Sequence, residues 1–190
     1  MEMPSFENEI FGPDKGEDLH ILKQAEFFDC SFEGLDFTTL NLASFRFIDC
    51  KFSKCNFSNA PIRGATFRSP TFKECKLLGL NWTDLSTFTT PVFESVQLDY
   101  SVFQELNLTR AVFKSSSLLE VDFSGANLVK ADFSSSKLTR ASFHHANLSE
   151  ADLREASEYY IDPRETKIKK AKFSLPEALN LLEVFDVLIK

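Results

Sequence analysis

Cysteine and histidine are the residue types in this sequence that could hold a metal ion or act as nucleophiles. The four cysteines form two pairs with one separation: Cys30 and Cys50 are 20 residues apart, and so are Cys55 and Cys75. Neither pair is a C-x-x-C motif, the spacing typical of zinc and redox sites. We therefore predict that the cysteines are small buried residues and that the chain binds no metal ion and no cofactor.

The histidines offer no catalytic arrangement either. His144 and His145 are adjacent, and no serine, cysteine or carboxylate has the spacing that would complete a triad with them. The chain has only six glycines and no phosphate-cradling motif. The sequence therefore predicts surface histidines and a protein that is not an enzyme.

The cysteine separation is a multiple of a five-residue repeat that runs along most of the chain. Every fifth residue from Phe27 to Trp82 is large and apolar, and after one extra residue the rule resumes from Phe88 to Leu153. The residue two positions before each of these centres is usually small. A period of five is neither the 3.6 of a helix nor the 2.0 of a strand, and it predicts a coil that turns a corner every five residues.

Four such sides close a coil of about 20 residues, so the predicted fold class is an all-β solenoid, a quadrilateral β-helix whose coils stack about 4.8 Å apart. In the second run, phenylalanine recurs every 20 residues in two columns, as a square coil requires. A simple alternation of Phe and Leu explains the columns equally well. The columns are Phe93, Phe113 and Phe133, and Phe103, Phe123 and Phe143.

The repeat divides the chain into five segments. Residues 1–24 are predicted to cap the first coil, 25–84 form the first repeat run, and 85–156 form the second. Residues 157–173 form an irregular last coil, and 174–190 a C-terminal helix and dimerisation tail. The extra residue makes a register break that is either a hinge or a kink with Trp82 filling a wider interior. The break comprises Trp82, Thr83, Asp84 and Leu85.

The C-terminal tail predicts a helix with two apolar faces. Ser174 and Glu177 have the spacing of a capping box, and an α-helix is expected from about Leu175 to Phe185. One face can cover the open end of the rod, and the other then needs a partner, which a second copy supplies. The alternative is that the protein's own end absorbs both faces. The predicted homodimer contacts are Ala178, Leu181, Phe185 and Leu188.

The net charge of −7 is concentrated at the N-terminus, where residues 1–36 carry ten acids against two lysines. The remainder is near neutral and shows no broad basic surface, so we expect no nucleic acid as partner. The start has no signal peptide and no run is long enough to span a membrane, which predicts a cytoplasmic protein with no membrane partner. The outward positions of the first coil form a candidate acidic surface, namely Glu26, Asp29, Glu33 and Asp36.

The stretch GANLVKADFSSSKLTRASFHHANLSEADLREA repeats the pattern A(D/N)LXX and resembles the pentapeptide-repeat family. The resemblance covers residues 25–156 and implies a right-handed, four-sided β-helix with a short C-terminal α-helical cap. Two runs joined by one extra residue, followed by a cap, are similar to the topoisomerase-interacting branch that contains the Qnr quinolone-resistance proteins. Members of that branch are homodimers joined at their C-termini, with rods that resemble B-DNA.

This narrower resemblance implies a non-enzymatic, DNA-mimicking protein. It would bind a type II DNA topoisomerase such as gyrase and protect it from a toxin or a quinolone-like drug. The chain has no insertion that could form projecting loops, so it is similar to the loopless members. The alternative is a structural scaffold for protein–protein interaction with a partner that the sequence does not identify.

Overall fold

Residues 20 apart lie directly beside one another in parallel pairs, as Phe47 does with Phe67 and Phe52 does with Phe72. The computed structural model describes residues 3–16, 19 and 22–187. Across them the chain winds into a parallel β-solenoid of about eight turns with a short helix near the C-terminus. This architecture confirms the predicted pentapeptide-repeat β-helix.

Thirteen short strands and three short helices can be assigned in the described chain. The strands in the first part are β1 (Ser5–Glu7), β2 (Ile10–Phe11), β3 (Ala25–Phe28), β4 (Ser31–Glu33), β5 (Phe45–Ile48), β6 (Lys51–Ser53), β7 (Thr66–Arg68) and β8 (Thr71–Lys73). The remaining strands are β9 (Thr87–Thr89), β10 (Val92–Glu94), β11 (Val112–Lys114), β12 (Asp152–Leu153) and β13 (Lys172–Phe173). The helices are α1 (Pro13–Gly16) and two 3₁₀ segments, Trp82–Asp84 and Glu177–Phe185.

The coil has four faces, which we number in chain order by their centre residues. Face 1 contains the sheet β1-β3-β5-β7-β9, and face 2 contains the sheet β11-β10-β8-β6-β4-β2 and the pair β12-β13. Face 1 continues through Leu108, Leu128, Leu148 and Ile168. Isolated bridges hold the other faces in the same register. Face 3 has the centres Phe37, Phe57, Leu77, Leu98, Leu118 and Leu138, and face 4 has Leu42, Ile62, Trp82, Phe103, Phe123 and Phe143.

The centre residues form one continuous hydrophobic core along the axis of the coil. Phe113 stacks on Phe133 with ring centroids 4.9 Å apart and planes 5° from parallel, and it stacks on Phe93 at 5.2 Å. Its edge meets Phe103 and Phe123 on the opposite face, at 5.6 and 5.2 Å. Because parallel stacks run along each face and edge contacts cross the interior, the two phenylalanine columns do belong to a square coil.

The preference for Asp or Asn before each centre follows from the turn that it stabilises. Asn147 Oδ1 accepts from the backbone N–H of Ser149 at 3.1 Å and from its hydroxyl at 2.7 Å. Asp122 accepts in the same way from the N–H of Ser124 at 2.8 Å. These Asx turns fix the corner of the coil, which explains why the repeat reads A(D/N)LXX.

The extra residue at the register break is absorbed in the 3₁₀ turn Trp82–Asp84. Partners across the break are 21 residues apart instead of 20, as Phe67 is with Phe88, and parallel pairing continues without interruption. Trp82 is buried and stacks on Phe103 with planes 9° apart. A filled interior therefore describes the break better than a hinge.

The N-terminal segment differs from the cap predicted for residues 1–24. Strands β1 and β2 pair with β3 and β4 and begin the solenoid one coil earlier. Phe6 stacks on Phe27 at 5.1 Å, and Phe11 stacks on Phe32 at 5.0 Å. These partners are 21 residues apart, so an extra residue between Phe11 and Leu22 hid this coil from a strict count of five.

The last coil closes before the C-terminal helix begins. Lys167 pairs with Asn147 and β13 pairs with β12, while Tyr159 and Ile161 are buried in the looser stretch between. The predicted α-helix is instead a 3₁₀ helix, Glu177–Phe185. The predicted capping box is also wrong, because the Ser174 hydroxyl accepts from the Glu155 N–H at 3.2 Å and no side chain caps the helix.

Candidate protein-interaction surfaces

The four cysteines occupy the small inward position of their repeats. All four are buried and free. The Cys50 thiol donates to the Phe27 carbonyl of the preceding coil at 3.4 Å, as the Ser101 hydroxyl donates to the Leu77 carbonyl at 3.0 Å. The thiols thus replace serine in a structural role, and burial raises the pKa of Cys50 to about 12.

We expect none of the four cysteines to react with a thiol reagent until the protein unfolds. The reactive species is the thiolate, which is scarce when burial raises the pKa, and the sulfur atoms are shielded by the neighbouring coils. The measurement is labelling with an aromatic disulfide reagent, with and without denaturant. Lys114→Cys on the exposed wall is the control and should label at once, whereas rapid native labelling of Cys50 or Cys75 would contradict the inward position.

The two adjacent histidines lie on the exposed wall of face 4, as the sequence predicts. His144 Nδ1 lies 2.7 Å from Glu165 Oε2, and the rings of His144 and His145 are 3.8 Å apart. Within the described ranges, no group of three or more metal-ligating side chains is brought together. No helix in this part of the chain is long and apolar enough to cross a membrane.

Charged side chains on the walls pair with the coil above or below. Arg46 lies 2.5 Å from Glu26, Arg140 lies 2.5 Å from Glu120, and Lys137 lies 2.9 Å from Glu158. These pairs are solvent-exposed, so each adds little to stability. Their main effect is to cancel charge locally along the middle of the rod.

The predicted acidic surface occupies one coil but three of its faces. Glu26 and Asp29 flank the face 1 centre, Glu33 lies on face 2, and Asp36 lies on face 3. Glu26 is paired with Arg46, and Asp36 Oδ1 accepts from the Thr38 N–H at 2.8 Å and from its hydroxyl at 2.6 Å. Asp29 and Glu33 are exposed with no ion pair in the described chain, so they carry the open negative charge of this coil.

The C-terminal helix sorts its side chains with the period of a 3₁₀ helix, in which residues three apart lie on one line. Ala178 and Leu181 are half-buried, and Leu181 packs against the core at the end of the rod. Phe185 instead lines up with Leu179 and Leu182, and these three side chains are exposed. Leu188, also predicted as a dimer contact, lies outside the described residues.

The predicted dimer contacts therefore divide between two sides of the helix. An α-helical period placed Leu181 and Phe185 together, whereas the 3₁₀ period separates them. Leu175 and Val187 add to the exposed side. We define the C-terminal apolar patch as Leu175, Leu179, Leu182, Phe185 and Val187.

Comparison with known proteins agrees with this geometry. Residues 21–89 match the family description Pentapeptide repeat region, and residues 92–128 and 116–155 match Pentapeptide repeats, in eight copies. No curated protein matches the sequence.

Among solved structures, QnrB1, described as a plasmid-mediated fluoroquinolone resistance protein, is similar with 17% identity and a TM-score of 0.53. The match covers 98% of this chain and 99% of that one. HetL, a pentapeptide repeat protein involved in heterocyst differentiation regulation from the cyanobacterium Nostoc sp. strain PCC 7120, matches with 20% identity and a TM-score of 0.38. That match covers 79% of this chain and 66% of HetL.

Proposed function

The chain belongs to the pentapeptide-repeat family, and on that premise we propose that it is a non-enzymatic, DNA-mimicking protein that binds a type II DNA topoisomerase. Binding would protect the enzyme from a toxin or a quinolone-like drug. The description of QnrB1 as a fluoroquinolone resistance protein suggests this drug class. A target that acts on chromosomal DNA also implies the cytoplasmic location that the sequence predicts.

The observation that carries the proposal is a straight stack of coils with open negative charge at one end. Asp29 and Glu33 are unpaired within the described chain, while charges farther along cancel between coils. Enzyme surfaces that bind DNA are basic because they displace counterions from phosphates. A rod with an acidic end can be drawn to such a surface by long-range attraction.

The proposal includes a homodimer joined through the C-terminal apolar patch. Phe185 and Val187 are each 50% exposed and Leu175 is 76% exposed, which is unusual for side chains of this size at the end of a rod. A second copy covers the same patch on both chains with one symmetric contact. The acidic coils then lie at the two far ends of the dimer.

We expect the purified protein to bind gyrase at micromolar concentration and to restore supercoiling in the presence of an inhibitory quinolone. Association should slow as salt is added, because the attraction between unpaired charges is screened. Surface plasmon resonance across a salt series measures binding, and a gel assay of plasmid supercoiling measures protection. Absence of binding to any type II topoisomerase at low salt would leave only the scaffold alternative.

A matched pair of variants separates charge from shape. Asp29→Asn with Glu33→Gln removes the open charge and should slow association by roughly threefold to tenfold. Asparagine also suits the positive φ of 49° at position 29. Glu74→Gln with Glu94→Gln makes the same charge change in the middle of the rod and should leave association unchanged. Equal effects of the two pairs would show that the acidic end does not steer binding.

A further inference from the structure

Face 1 changes the sign of its charge along the rod. Near the N-terminus it carries four acids and one base, namely Glu7, Glu26, Asp29, Asp49 and Arg46. The middle coils present a belt of threonines, Thr66, Thr87, Thr89 and Thr90, with Arg68 paired to Asp49 at 3.8 Å. The remaining coils carry five bases and one acid, namely Arg110, Lys130, Lys167, Lys169, Lys170 and Glu150.

The strongest positive charge lies on the last coil. Lys167, Lys169 and Lys170 occupy the three outward positions around Ile168, and we call them the lysine end. All three are exposed, and none forms an ion pair with another described residue. The bases nearer the middle are less available, since Lys130 lies 3.6 Å from Glu150.

A row of asparagines leads up to the lysine end on the same face. Asn107, Asn127 and Asn147 stack in register with Lys167. Asn127 Nδ2 donates to Asn107 Oδ1 at 3.2 Å, which holds these side chains in line along the wall. Side-chain amides are both donors and acceptors, so they suit peptide groups better than a phosphate backbone, which offers acceptors only.

We propose that the lysine end and the asparagine row form a docking site for a short acidic segment of a partner protein. The carboxylates of the segment would meet Lys167, Lys169 and Lys170, and its backbone would run along the asparagines. This site lies at the opposite end of face 1 from the acids that the proposed function uses. The two proposals can therefore succeed or fail independently.

The surroundings favour a short acidic peptide over a nucleic acid. The basic part of face 1 spans four coils, about 14 Å at the usual strand spacing, and Asp132 and Asp152 bound it on the edge shared with face 2. A duplex lying along the rod would run from the lysine end onto the acidic coils. The net charge of −7 opposes any long polyanion as well.

The test is fluorescence anisotropy with a labelled oligo-glutamate peptide at low salt. We expect binding by the unmutated protein and a loss of about tenfold in the variant Lys167→Glu, Lys169→Glu, Lys170→Glu, because three exposed ion pairs are lost together. The control variant is Lys51→Glu, Lys54→Glu, Lys73→Glu on face 2. It has the same charge change at the same three repeat positions, but its lysines lie among Glu33, Glu74 and Glu94.

Each result bears on the proposal. Binding that the lysine-end variant loses and the control variant keeps supports it. No binding of the peptide, or equal loss in both variants, overturns it. Short duplex DNA and phosphatidylserine vesicles are run in parallel, and tighter binding of either one through the same lysines would overturn the assignment to an acidic protein segment.

Discussion

Replacing Phe113 with alanine should destabilise the protein by about 3–5 kcal/mol, among the largest losses expected from a single core substitution. The Phe113 side chain is fully buried and contacts four other rings, two along its own face and two across the interior. Each coil is held only by its neighbours, so a cavity in the middle of the stack cannot be filled from elsewhere. Urea unfolding followed by circular dichroism measures the loss.

Two further substitutions at the same coil show whether the loss comes from the cavity. Phe113→Leu should cost much less, because leucine already fills the equivalent centre at Leu108 and Leu118. Lys114→Ala, one residue away on the exposed wall, should change the free energy of unfolding by less than about 0.5 kcal/mol. A stability for Phe113→Ala equal to that of the unmutated protein would contradict the square packing.

The sequence was sufficient to predict the solenoid because its core obeys a single rule. The residue at every fifth position points inward, and the position two before it must be small, so register can be read without knowledge of distant contacts. The extra residue near Trp82 was also legible, since the pattern resumes at once from Phe88. Phe6 and Phe11 were missed because only two centres precede the second irregularity, which is too few to define a register.

The ends could not be predicted as well because they obey no repeat. The choice between an α-helix and a 3₁₀ helix after Pro176 depends on how that segment meets the end of the rod, and sequence spacing carries no record of this contact. The partners of outward charges were also out of reach. Asp29 and Glu26 are alike in sequence, but only the register of stacked coils shows that Arg46 neutralises Glu26.

The helix period decides which residues can join two copies. With Leu181 turned toward the core, a substitution there would disturb the rod end, whereas Leu182 and Phe185 face outward. We expect Leu182→Glu with Phe185→Glu to give a folded monomer. A two-fold contact would bury four unpaired carboxylates, and breaking it should weaken association by at least about a hundredfold.

Light scattering coupled to size-exclusion chromatography measures the mass of each variant, and circular dichroism checks that the solenoid persists. Ile10→Glu with Tyr160→Glu is the control, because these two side chains are also large, apolar and exposed but lie outside the C-terminal apolar patch. The control should remain a dimer, since neither side chain is part of the patch. A monomeric unmutated protein would remove the basis for the symmetric contact, and a control variant that also dissociates would place the contact elsewhere on the rod.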